Sequence, residues 1–158
     1  MKSSKLLLYI ILFSALAISS ISCDKDPVFE KYLKLKNSTW DRFDIKHFDI
    51  LLKEPNKSYD ITLVVRCNEQ FKPDRLPVYV ILTSPKSEES INEISIPVRE
   101  KGKLITEPKG VMPDSRLVLW KDIHIAANGI CKISIENLIP IIQTVGIEEI
   151  GIVMTKAK

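Results

Sequence analysis

The side chains that could do chemistry in this sequence are three cysteines, two histidines and a few neighbouring carboxylates. Cys23 has the most telling surroundings. Lys2 and Lys5 precede Leu6–Ile18, thirteen residues without a charge; Ser19-Ser20-Ile21-Ser22 then lead into the cysteine, and Asp24-Lys25-Asp26-Pro27 follow it. The apolar run falls short of the roughly 20 residues that a helix needs to cross a ~30 Å hydrocarbon core. It has the basic start, short apolar stretch and small-residue end of a secretory signal peptide. A thiol at its end can be diacylated before cleavage and become the first residue of the mature chain. The expected chemistry is therefore cleavage between Ser22 and Cys23 and lipid attachment at Cys23.

The other reactive types do not assemble in the sequence. His47 lies among Asp44 and Asp49, and His124 follows Asp122 at strand spacing, so Asp122 and His124 would share a face. A closed zinc site wants four ligands, and no further ones are near either histidine. Gly-x-Ser-x-Gly does not occur, and the five glycines are spread singly, so neither a nucleophile elbow nor a phosphate-cradling loop is expected. Glu88-Glu89 and Glu148-Glu149 are adjacent, which in an extended strand sends the two carboxylates to opposite faces. Catalytic residues, metal ligands and cofactors are thus all expected to be none. Cys67 and Cys131 fall in phase with apolar neighbours and so face the core. An exported chain meets oxidising conditions, which leaves two alternatives for them: a disulfide, if their Cα atoms come within about 7 Å, or two small buried hydrophobes.

The whole chain carries 23 Lys and Arg against 20 Asp and Glu. Loss of residues 1–22 removes Lys2 and Lys5 and no acid, leaving 21 against 20. Such a balance, without a basic run interleaved with aromatics, excludes nucleic acid as the partner. The remaining 136 residues suit one domain.

That domain must be built from strands, because apolar residues recur at every second position. Ile61, Leu63, Val65 and Cys67 share a face, as do Ile94, Ile96 and Val98, and again Ile133 and Ile135. The periodicity predicts seven short strands, near 44–52, 59–67, 76–83, 93–99, 116–125, 130–136 and 147–155. Turns are expected at Glu54-Pro55-Asn56, Lys72-Pro73-Asp74, Ser84-Pro85, Pro113-Asp114 and Asn128-Gly129. The last is the strongest hairpin signal, since Asn-Gly tolerates positive φ at both central positions. Only Ser134–Thr144 suggests helix, and Pro140 limits it to a turn or two. The fold class expected is all-β: a single β-sandwich-like domain of about seven antiparallel strands. Residues 1–22 form the signal peptide, 23–36 a lipid-anchored charged tether, 37–158 the sandwich, and 100–110 an exposed loop.

The cysteine context resembles the bacterial lipobox, with Ser20 where leucine is usual three positions earlier. From Phe29 to Lys156 the chain resembles the gliding-motility lipoprotein GldH family of Bacteroidota. The matching positions are Tyr32, Trp40, Phe48, Tyr59, Arg66, Pro85, Gly129, Ile135-Glu136, Gly146-Ile147 and Ile150-Gly151. It departs in segment 100–110, at Cys131, where an aromatic is more usual, and at Pro140. The resemblance implies an accessory or scaffold role in gliding motility and the associated type IX secretion, performed by protein binding and without catalysis. It implies as partners the membrane, through the lipid anchor, and other envelope proteins of that machinery. The outer membrane is the expected location, since Asp24-Lys25-Asp26 resembles the export signal of related bacteria. The alternative is a ligand-binding envelope lipoprotein taking a glycan or peptide: Trp120, with Val118 and Asp122, is expected to point away from the Leu117, Leu119 and Ile123 side as the candidate stacking platform, with Trp40 as a second aromatic if both are exposed on one rim.

Overall fold

The computed structural model describes residues 27–105 and 114–158. The signal peptide, Ser22, Cys23, the first residues of the tether and much of the 100–110 loop lie outside the described residues. Two four-stranded antiparallel sheets face each other. The first has the order β1 (Phe29–Lys34), β12 (Ile147–Lys156), β4 (Lys57–Cys67), β9 (Asp114–Ile125). The second runs β3 (Lys46–Leu52), β10 (Gly129–Asn137), β5 (Arg75–Thr83), β6 (Glu89–Pro97). Two small ribbons pair β2 (Thr39–Asp41) with β11 (Gln143–Val145), and β7 (Arg99–Glu100) with β8 (Lys103–Leu104).

The alternation noted in the sequence is what closes the core. Ile61, Leu63, Val65 and Cys67 of β4 meet Cys131, Ile133 and Ile135 of β10 and Leu76, Val78, Val80 and Leu82 of β5 within one buried cluster. At about 3.3 Å per residue, the eleven residues of β4 make the sandwich about 33 Å tall.

All seven expected strands are present, and the all-β class holds with twelve strands among the described residues rather than seven. The additional ones show what periodicity overlooks. Phe29–Lys34, expected to be tether, pairs with β12 over six residues, Phe29 opposite Met154 through Lys34 opposite Glu149. The domain therefore begins before residue 37. As an edge strand with one polar face, β1 turns only a few apolar residues to the core, so its charges mask it. Ser134–Thr144 is not helical: β10 continues to Asn137 and β11 begins at Gln143. The helical element described is instead a single 3-10 turn at Lys36–Ser38.

The Asn128-Gly129 expectation is also corrected. β9 and β10 belong to opposite sheets, so the segment crosses between them instead of closing a hairpin. Gly129 does have positive φ, +129°, but as the first residue of β10 it pairs with Leu52 of β3. Glu54-Pro55-Asn56 is likewise a crossing, held by the Asn56 N–H donating to Ala126 O at 3.1 Å. The true tight hairpin between long strands joins β5 to β6 around Ser84-Pro85.

Candidate functional site

A part-buried side-chain network spanning three strands lies on the outer face of the first sheet. Arg66 of β4 sits between neighbours on both sides: its Nε donates to Asp114 Oδ1 of β9 at 2.8 Å and Nη2 to Asp114 Oδ2 at 3.2 Å, while Nη1 meets Glu149 of β12. All three side chains are less than a quarter exposed. The Asp114 hydrogen bonds raise the Arg66 pKa above its ordinary value, against the opposing effect of burial. The guanidinium is thus a permanent positive clasp across three strands, placed by register, since Arg66 lies opposite Asp114 on one side and Glu149 on the other.

Beside this clasp, Tyr32 of β1 lies directly opposite Gly151 of β12. A Cβ at Gly151 would fall 2.3 Å from Tyr32 Cδ1 and 2.5 Å from Cε1, so the ring covers the bare glycine. Partial burial and a hydrogen bond to Glu30, 2.8 Å, raise the Tyr32 pKa. Gly151→Ala is expected to cost about 1–3 kcal/mol by overpacking. The added methyl should cost much less in a Tyr32→Ala background. A double-mutant cycle in urea checks this, and simple additivity would show that the ring does not select the glycine.

Trp40 of β2 is fully buried, and its Nε1–H donates to Asp44 O at 2.8 Å. Trp120 turns towards the core as well, contrary to the expectation that it faces outward with Val118. β9 carries two extra residues against β4: Tyr59 pairs with Ile123, Ile61 with Trp120 and Thr62 with Val118. These bulges shift the phase, and Asp122 takes φ +53° with its N–H donating to Asp60 Oδ1 at 2.8 Å. The aromatic platform of the glycan reading is therefore not formed.

The remaining reactive groups are kept apart. His47 stands on the outer face of the second sheet, its Nδ1 2.9 Å from Ser134 Oγ. His124 lies opposite Ser58 in the first sheet, exposed along with Asp122. Among the described residues no three His, Cys, Asp or Glu side chains converge as metal ligands. Glu149 engages Arg66, whereas Glu148 accepts from Asn68 Nδ2 at 3.0 Å, so the pair diverges.

Cys67 and Cys131 are both free and buried. They cannot meet: Cys131 is the third residue of β10, whose start lies by the beginning of β4 where the Asn56 N–H donates to Ala126 O, whereas Cys67 is the last residue of β4, roughly 33 Å from its first. The disulfide alternative is set aside, and the two thiols are small core hydrophobes. Burial pushes the Cys67 thiol up to about 12 and that of Cys131 to about 11. At pH 8 Cys67 should then react with a thiol reagent about 1,000-fold more slowly than an exposed cysteine. Two thiols should appear on denaturing unreduced protein that begins at Asp24. Fewer than two would restore the disulfide.

Sequence reasoning did not single out the Arg66 partners, because Asp114 and Glu149 are distant in sequence and only register joins them. Nor did it find Arg99, whose side chain is 7% exposed and ties Phe71 O (3.0 Å) and Gly102 O (2.9 Å) together.

Fold and site together define a two-sheet β-sandwich domain in which the distinctive charged, aromatic and glycine residues serve cross-strand packing. The GldH lipoprotein family model matches residues 27–154, and the chain belongs to that family. No curated protein matches. Among solved structures, the chain is similar at 11% identity and a TM-score of 0.50 to a family GH115 4-O-methyl-α-glucuronidase with specificity for decorated arabinogalactans, over 89% of this chain and 19% of that one. It is also similar to the CspB protease of Clostridium perfringens (12% identity, 80% of this chain and 25% of that chain, TM-score 0.42). A third similarity is to dimeric latent PorU of Porphyromonas gingivalis (6%, 84% and 12%, TM-score 0.38). The chain spans about a fifth of the glucuronidase, and that likeness shows the sandwich fold alone.

Proposed function

We propose that this membrane-anchored envelope lipoprotein is an accessory, scaffolding component of gliding motility and its associated type IX secretion. It acts by binding other envelope proteins of that machinery and not by catalysis. The lipid is carried on Cys23, exposed by cleavage after Ser22, and the anchoring membrane is the outer membrane. The observation that carries the reading is the use to which the family-matching residues are put. Trp40, Phe48 and Tyr59 are buried in the core, Tyr32 covers Gly151, and Arg66 clasps three strands. These positions maintain a rigid body, as a scaffold requires. Capture of the tagged, lipidated protein from its own envelope tests the reading. Motility or secretion components are the expected companions; substrate turnover by the purified protein would overturn it.

A further inference from the structure

The two ends of the sandwich differ in a way that assigns them different tasks. β1 starts, and β4 starts, at one end; the N–H of Val28 donates to Met154 O at 2.8 Å there. Only Asp24–Pro27 separate Cys23 from Val28, a reach of at most about 18 Å from the lipidated residue. With Cys23 anchored as proposed above, this end stays beside the bilayer. It carries Lys53, Lys57, Lys86, Lys156 and Lys158 with Glu54, Glu88 and Glu89 and, through the tether, Asp24, Lys25 and Asp26, so its charge is close to balanced.

The opposite end, about 33 Å away along β4, is apolar and exposed. Phe43 is 80% and Ile142 74% exposed, with Ile141, Val145 and Ile45 beside them in sequence; these are five of the ten exposed large hydrophobics among the described residues. They belong to one place, because the Arg42 N–H donates to Ile142 O at 2.8 Å and Asp41 lies opposite Gln143. Concentration of this kind marks an interaction surface more than scattered apolar residues do.

The surface is also held in shape. The indole of buried Trp40 grips Asp44 O, the Asp44 N–H donates to Asp41 O at 3.0 Å, and the Arg42 guanidinium stacks 5.9 Å from the centre of the Phe43 ring. A rigid aromatic on a fixed turn loses little entropy on binding. Beside it, Lys34, Lys36 and Lys46 surround a polar hollow with Asp41 and Asp44. Together with Arg42 that makes four cations against two carboxylates.

We propose that the membrane-distal end is a protein-docking surface, Phe43, Ile141 and Ile142 entering an apolar recess rimmed by carboxylates on a partner protein held away from the anchoring bilayer. The charge excess selects the acidic rim, and the reach of the tether separates the surface from the anchoring bilayer. The assignment rests on the anchor at Cys23 and deepens the scaffolding role.

The test uses the full-length protein in its own envelope, with a photo-crosslinking residue at Phe43 or Ile142 and, at the anchored end, at Leu51. The expected result is a protein adduct from both distal positions, mapped to a peptide with apolar residues flanked by Asp or Glu, and not obtained from Leu51. Arg42→Glu should reduce it by about tenfold or more, as loss of a central contact does, and Arg42→Lys should retain most of it. Lipid adducts alone, adducts only to a second copy, no adduct, or indifference to Arg42→Glu would each overturn the proposal. Palmitate labelling in the same cells separates the two readings: unlabelled protein that still forms the adduct contradicts the anchor and leaves the docking surface standing.

Discussion

Gly146→Ala is expected to cost about 2–6 kcal/mol, more than any other single added methyl in the described residues. Gly146 has φ +88°, its N–H donates to Ser38 O at 2.7 Å, and its carbonyl accepts from the Asn68 N–H at 2.9 Å. A Cβ there would lie 2.1 Å from Phe71 N and 2.7 Å from Gln70 C, both backbone atoms that cannot rotate away. Strain at positive φ adds roughly 1–3 kcal/mol, and forcing apart two chain segments that frame buried Phe71 adds about 1–3 more. Thermal unfolding should register a large fall in Tm. Gly102→Ala supplies the control, since Gly102 also has positive φ, +77°, but meets nothing within 4 Å. It should show the strain without the collision. Equal effects at the two positions would refute the steric account.

Trp40→Ala should destabilise by about 3–5 kcal/mol, the range for emptying a buried aromatic site. Trp40→Phe keeps most of the apolar volume and removes the hydrogen bond to Asp44 O, so a cost nearer 1–2 kcal/mol is expected. Both variants should loosen the 41–44 turn. Hydrogen exchange at Asp44 N–H, whose bond to Asp41 O closes that turn, should rise more than at Ile133 in the middle of β10. An unchanged Asp44 amide would mean that Trp40 fills space without organising the turn.

What was legible in the sequence was the part governed by local alternation. β4 and β10 bury one face throughout, so period two dominates both, apart from Val64 buried on the opposite face of β4, and their inward residues are where periodicity puts them. Arrangement was not legible. Asn128-Gly129 carries local hairpin chemistry, yet the faces of β9 and β10 must be buried against different neighbours, and that decides their sheets. The bulges in β9 add residues that reverse alternation, which is why Trp120 points inward although its spacing from Val118 says otherwise. β1 was hidden because an edge strand is held by backbone pairing with β12, and backbone bonds leave no mark in side-chain pattern. The Arg66 clasp is of the same kind: residue types are visible, but register across three strands supplies the partners.

The protein proposed is a rigid sandwich that works by binding while tied to a membrane at Cys23. Complementation of a deletion strain by the Cys23→Ala chain, with labelled palmitate supplied, is the decisive experiment. The variant should take up no label, show no processing at Ser22-Cys23 and recover neither spreading nor secretion, while the unaltered chain is labelled and restores both. A variant that still takes up palmitate, or that restores spreading without a lipid, would contradict the proposal.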